Sequence, residues 1–201
     1  MEVFSYRTIS APATGEYKEK GSKFLAFAYP VDGEENVKER LSEIRKKFYD
    51  ARHHCFAYTL GAEKSKFRAF DDGEPNHSAG DPILGQIRSK DLTNVLVVVV
   101  RYFGGVKLGV GGLISAYKAA AEDALNKADI IEREVAVYYT VHYPYSATPA
   151  VMKLIKDFDV EIRNQSFENT CMMEITISLR LKVAFEEKVE LLKALGTPIS
   201  Y

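Results

Sequence analysis

The shortages in this sequence are its first guide. Cysteine occurs only at Cys55 and Cys171, far apart and without metal-ligand spacing. Two such cysteines make neither a disulfide framework nor a zinc site, and no signal-peptide pattern opens the chain. A reducing cytoplasm is therefore the expected home. No apolar run approaches the ~20 residues of a membrane span, so no membrane partner is expected. An excess of either charge is also missing. Lys and Arg number 27 against 28 Asp and Glu, for a formal net charge of −1. Residues 1–132 carry 19 basic and 19 acidic side chains, and residues 133–201 carry 8 and 9. Nothing here announces a wholly basic nucleic-acid domain, and any such surface must be a local patch.

What is present is ordinary for a globular chain, with 46% hydrophobic and 27% charged residues in 201. That length suits one large domain or two small ones. The chain is organised around Asn94–Ala121. Val95–Val100 is an apolar, β-branched run that predicts a strand buried on both faces. Arg101, Tyr102 and Phe103 follow, and then Gly104, Gly105, Gly109, Gly111 and Gly112 fall within nine residues. Leu113, Tyr117, Ala120, Ala121, Ala124, Leu125 and Ala128 then recur at helical spacing. Strand, glycine loop and helix is the local reading.

The loop has two readings. Glycines let a ligand approach the backbone, and a helix N-terminus suits phosphate or carboxylate. Arg101 and Lys107 add charge, with no acidic residue between Arg101 and Lys118. Gly104 and Gly109 have the spacing of a P-loop, yet Val110 and Gly111 stand where Lys and Ser or Thr belong. The dinucleotide pattern is broken too, by Gly109, Gly111 and Ile114. The other reading is a tight turn whose glycines only let helix and sheet pack closely.

Elsewhere, Val3–Ile9 predicts a first strand, Ala11–Gly15 a turn, and Phe24–Tyr29 a strand. Lys18, Lys20 and Lys23 around Gly21-Ser22 are phosphate candidates or a solvated strand end diluted by Glu16 and Glu19. Asn36–Tyr49 is an amphipathic helix with Val37, Leu41, Ile44 and Phe48 on one face. Cys55–Leu60 is a strand opened by His53-His54-Cys55. A buried structural Cys beside a hydrogen-bonded His outweighs a Cys–His catalytic pair there, so no nucleophile is assigned. Asp71, Asp72 and Glu74 lie in a turn-like loop. Their spacing fails the EF-hand pattern, and no metal is assigned. Ser78 is placed as N-cap of a helix through Ile83, Leu84, Ile87 and Arg88, with Asp81-Pro82 in its first turn. After a boundary at Ala128–Glu134 come strand Val135–Tyr143, a helix capped by Thr148-Pro149, a strand from Val160 towards Phe167 and a turn near Glu168-Asn169. Strand Cys171–Lys182 and a last helix through Phe185, Val189, Leu192 and Leu195 follow, with a short strand allowed at Pro198–Tyr201. The order βαββα is that of a small ferredoxin-like domain.

Four blocks carry a family resemblance: KGSKF (Lys20–Phe24), RHHCFAY (Arg52–Tyr58), DDGEPNHSAGDPIL (Asp71–Leu84) and RYFGGVKLGVGGL (Arg101–Leu113). With an alanine-rich helix after the last block, the chain resembles the IMPACT/YigZ family. His77 departs from the small or polar residues usual around that position and is given no role. The resemblance implies an α/β (α+β) chain of two domains meeting near residue 132. Residues 1–132 would have the fold of the second domain of ribosomal protein S5. Residues 133–201 would be ferredoxin-like, similar to a domain of translocating elongation factors. The family's eukaryotic members resemble regulators of the initiation-factor kinase response and carry an additional N-terminal domain, without which this chain begins.

The leading expectation is a cytosolic, non-enzymatic protein that regulates translation through RNA, the ribosome or a translation-related protein partner. Arg101, Gly104, Gly105, Lys107, Gly109, Gly111, Gly112, Lys20 and Lys23 form its anion or nucleic-acid site, with His54, Asp71, Asp72 and Glu74 in support. No cofactor and no catalytic residue is assigned. One alternative is an enzyme acting on a phosphorylated small molecule through the same loop, with Asp71, Asp72 or Glu74 holding Mg²⁺ or acting as a base. The other is a protein-binding module whose glycines and charges are structural.

Overall fold

The computed structural model describes residues 2–168 and 170–201, and its backbone divides into two compact units. Ser5–Arg133 form one unit. Glu134–Tyr201 form the other together with the residues before Ser5. Phe4 belongs with the second unit because its carbonyl accepts the Val135 N–H and its ring lies under the Arg180 guanidinium, 5.1 Å away.

The first unit contains β1 (Ser5–Ile9), β2 (Ala13–Glu19), β3 (Ser22–Pro30), α1 (Glu34–Lys47), β4 (His53–Leu60), β5 (Lys66–Phe70), α2 (Gly80–Ser89), β6 (Val95–Tyr102), α3 (Gly109–Lys127) and β7 (Ile130–Glu134). Five strands form a sheet in the order β2-β3-β6-β4-β5, antiparallel throughout, and β1 pairs with β7. The apolar run of β6 lies at its centre, buried on both faces as the sequence predicts. Its odd positions, Val95, Val97 and Val99, pack with residues of α2 and α3 such as Ile83, Ile87, Ala120 and Ala124. Leu96, Val98 and Val100 face the opposite way and pack with Val37 and Ile44 of α1. The run Val95–Val100 is apolar at every position because each face carries helices, even though its neighbours run antiparallel.

Three elements depart from the sequence reading. The expected turn at Ala11–Gly15 is largely the start of β2. Gly15 is required there by close approach: a Cβ at that position would stand 2.3 Å from the Ala124 backbone nitrogen of α3. Short strands β5 and β7 were not anticipated, because neither has an apolar period of its own: β5 is held at the sheet edge by β4, and β7 by the distant β1. Ser78 is not the cap of α2. Its hydroxyl donates to Pro75 O at 2.6 Å, while Asp71 Oδ1 accepts the Ala79 and Gly80 N–H groups at 2.9 and 2.8 Å.

The second unit contains β8 (Ala136–Tyr143), α4 (Thr148–Asp157), β9 (Glu161–Phe167), β10 (Cys171–Ser178) and α5 (Lys182–Ala194). Its antiparallel sheet has the order β8-β10-β9. Val141, Tyr143, Cys171, Met173, Ile175 and Ile177 form one core with Val151 and Leu154 of α4 and Phe185 and Val189 of α5. The alternation expected through Lys182 stops at Ser178, because a single 3₁₀ turn, Leu179–Leu181, leads into α5. At Thr148 the hydroxyl donates to Tyr145 O instead of capping α4. A single antiparallel bridge joins His142 and Ser200 where a last short strand was allowed. The turn expected near Glu168-Asn169 lies partly outside the described residues. Among those residues no helix is long and apolar enough to cross a membrane.

A cleft at the start of the third helix

The end of β6, the start of β4 and the loops before α2 and α3 meet around a cleft of about 450 Å³. Its wall includes Arg52, His53, Glu74, Arg101, Phe103, Lys107, Leu108, Val110 and Leu113. Strand register creates this meeting, since His53 of β4 stands opposite Arg101 of β6 and their side chains share a face.

Arg101 lies at the base of the cleft, 7% exposed. Its Nη1 donates to Glu74 Oε1 at 2.6 Å, and both side chains are almost wholly buried. Tyr117 of α3 donates to the same carboxylate oxygen at 2.7 Å. The guanidinium also lies between the Phe24 and Phe103 rings, 5.5 and 5.6 Å from their centroids. Cys55 completes the network, with Sγ 3.0 Å from Asp71 O and 3.3 Å from the Tyr117 hydroxyl. Burial pushes the Cys55 thiol far up, only partly offset by Tyr117, so it is not a thiolate nucleophile at neutral pH. Burial, followed by Cys55, likewise raises the Tyr117 phenol.

The acidic loop is spent on backbone donors. Besides the two α2 N–H groups, Asp71 accepts the His77 N–H on Oδ2 at 2.9 Å. Burial works against its charge, but the hydrogen bonds from Gly80, His77 and Ala79 prevail and hold its carboxyl below the ordinary value. Asp72 Oδ2 accepts the His54 N–H at 2.7 Å, while its carbonyl lies 2.9 Å from His53 Nδ1. A carbonyl only accepts, so Nδ1 carries the hydrogen and neutral His53 keeps Nε2 as an acceptor. His54 faces away, its Nε2 3.0 Å from Phe48 O. Of the three loop carboxylates, Glu74 alone lines the cleft. Among the described residues no group of three or more His, Cys, Asp or Glu side chains is arranged to hold a metal ion.

The glycine loop does two jobs. Gly104 packs against the hairpin turn between β2 and β3: a Cβ there would stand 1.9 Å from Gly21 C, and its N–H donates to Ser22 Oγ at 3.1 Å. The KGSKF and RYFGG blocks therefore touch. Gly105 and Gly109 have φ of 89° and 72°, and Gly109 begins α3. Gly111 and Gly112 lie in its first turn. That 19-residue helix has neither a side-chain cap nor an acidic residue at its start, which leaves partial positive charge at an end where Gly109, Val110 and Leu113 line the cleft. Lys107 is exposed and lines the cleft. Lys20 sits in the hairpin turn with φ 45°, and Lys23 lies 3.8 Å from Glu16; neither lines the cleft. Arg52, His53 and Phe103 do line it and were not among the residues assigned from sequence. Arg52 and His53 stood in a recognised block, but only the β4–β6 pairing places them beside the glycine loop.

A family model for the Impact N-terminal domain matches residues 20–125. The chain belongs to the IMPACT family. It is 30% identical over 182 residues to IMPACT family member YigZ of Escherichia coli K12, covering 90% of this chain and 89% of that one. IMPACT family member YvyE of Bacillus subtilis 168 is 37% identical over 133 residues, covering 66% and 61%. A crystal structure of a hypothetical protein aligns over 99% of this chain and 97% of its own, with a TM-score of 0.77 and 28% identity. All of the cleft residues lie within the segment that the IMPACT model matches.

Proposed function

We propose that this IMPACT-family protein binds single-stranded RNA at the cleft before α3 and acts, without catalysis, on translation. The observation that carries the reading is Phe103, 56% exposed, on the wall that also holds Lys107 and Arg52. An exposed ring offers a face for a base to stack on, and neighbouring cations with uncapped helix N–H groups hold phosphate. With a net charge of −1 the chain attracts nucleic acid only through such a local patch. The translation half rests on the eukaryotic members that the family resemblance ties to regulators of the initiation-factor kinase response. Ribosomal RNA or a ribosome-associated protein would be the partner, and the cytosol the place. The ribosomal protein S5 and ferredoxin-like assignments belong to the same proposal, supported by the βαββα order of the second unit.

The test is RNA binding across a salt series. Affinity should fall steeply with salt, and Arg52→Ala/Lys107→Ala should make the slope shallower by about two phosphate contacts. Phe103→Ala should lose about 1–3 kcal/mol at unchanged slope. Absence of salt-dependent binding by the wild type would defeat the reading.

Glu74 and His53 on the cleft wall favour one second reading, an enzyme acting on a phosphorylated small molecule. It requires turnover of such a compound that His53→Ala abolishes; the binding reading requires none.

A further inference from the structure

We infer that the cleft distinguishes RNA from DNA by accepting a hydrogen bond from the ribose 2′-hydroxyl on Glu74 and His53, an inference that rests on the nucleic-acid reading above. The wall holds two kinds of groups. Donors and positive charge come from Lys107, Arg52 and the start of α3. Acceptors come from Glu74 and His53. Both hydrogen bonds to Glu74 arrive at Oε1, from Arg101 and Tyr117, and Oε2 accepts none from a described residue. His53 has its Nδ1–H tied to Asp72 O, which leaves Nε2 as its acceptor.

A simple anion satisfies only half of this arrangement, because phosphate brings no donor for Glu74 Oε2 or His53 Nε2. The occupant that meets both kinds of group carries a phosphate and a hydroxyl or N–H donor. An RNA nucleotide supplies both within one residue, and the 2′-hydroxyl is the group that separates it from DNA. A carboxylate receiving a ribose hydroxyl is the device by which dinucleotide-binding folds hold a sugar. Arg101 and Tyr117 fix the carboxylate, so the acceptor is oriented before the ligand arrives. Phe103, Leu108, Val110 and Leu113 leave apolar wall for the base. A deoxyribose inside a strand has no hydroxyl to offer, and leaves the Glu74 and His53 acceptors without the donor that RNA supplies.

The experiment compares one mixed-sequence oligomer made as RNA, as uracil-containing DNA and as 2′-O-methyl RNA, at a single salt concentration. The expected result is RNA bound roughly ten- to a hundredfold tighter than DNA, with 2′-O-methyl RNA close to DNA. His53→Phe should narrow the RNA preference without changing the salt slope. Glu74→Gln, which keeps an oxygen for Arg101 and Tyr117 but turns a donor into the cleft, should narrow it further. Equal binding of all three oligomers, or a preference that survives both substitutions in folded protein, would overturn the inference while leaving nucleic-acid binding standing. Discrimination by base but not by sugar would assign the acceptors to a nucleobase amino group and overturn it as well. Failure of the wild type to bind any of the three would remove the nucleic-acid reading and this inference with it.

Discussion

Two loops build the cleft, and they treat their charges in opposite ways. In the Asp71–Pro75 loop the carboxylates turn inward: Asp71 holds three backbone N–H groups, Asp72 one, and Glu74 the Arg101 guanidinium. Beyond Arg101, the glycine loop turns its groups outward, with Lys107 exposed and Phe103 and Val110 each more than half exposed. The acidic loop is thus scaffolding for the basic one. A cation is available to phosphate only if the fold has not already paired it, and Arg101 and Lys107, six positions apart, lie on different sides of that line.

The sharpest way to break the contrast is Arg101→Ala. Removing one partner of a buried pair leaves an uncompensated charge on Glu74, and a loss of about 3–5 kcal/mol is expected in urea unfolding. A loss below about 1 kcal/mol would mean the pair is not structural. Arg101→Ala is therefore the wrong probe of ligand binding, whereas Lys107→Ala is a clean one. Gly104→Ala comes next. Its Cβ must displace the Gly21-Ser22 backbone, which should cost about 1–3 kcal/mol by thermal melting. Gly111→Ala in the same loop has open space and helix geometry, and should be neutral or stabilising by up to about 1 kcal/mol.

Asp71→Ala should cost about 1–3 kcal/mol, because the α2 N–H groups and the His77 N–H lose their acceptor. Its folded carboxyl is held below the ordinary value, so this stabilisation is present above the unfolded carboxylate range. It is lost as pH falls through the lower folded value. The gap between wild type and Asp71→Ala should accordingly close on acidification, as read from unfolding midpoints at a series of pH values. Smallest in stability is Lys107→Ala, expected within about 0.5 kcal/mol of wild type, with its effect confined to RNA binding, which weakens and loses about one unit of salt slope.

Much of the fold was legible where local pattern and tertiary environment agree. The β6–loop–α3 unit, α1 and the alternating face of β10 all declare themselves by period. Strands β2, β5 and β7 did not, since Gly15, Lys66 and Glu132 lie in them through pairing with β3, β4 and β1 and not through any apolar period of their own. The candidate site was half legible. Lys107 and the glycines were read from the loop itself, and the four family blocks marked its segments. Arg52 and His53 joined it only through the sheet, and Phe103, next to Gly104, was marked only by its exposure.

By itself, the sequence determined family membership, the central strand and the glycine loop that leads into α3, because these depend on contiguous residues and their spacing. Tertiary structure alone decided which charges remain free. Burial and antiparallel register brought Arg101 to Glu74 and His53 to the cleft wall. Pairing between residues tens of positions apart leaves no local signature in a chain.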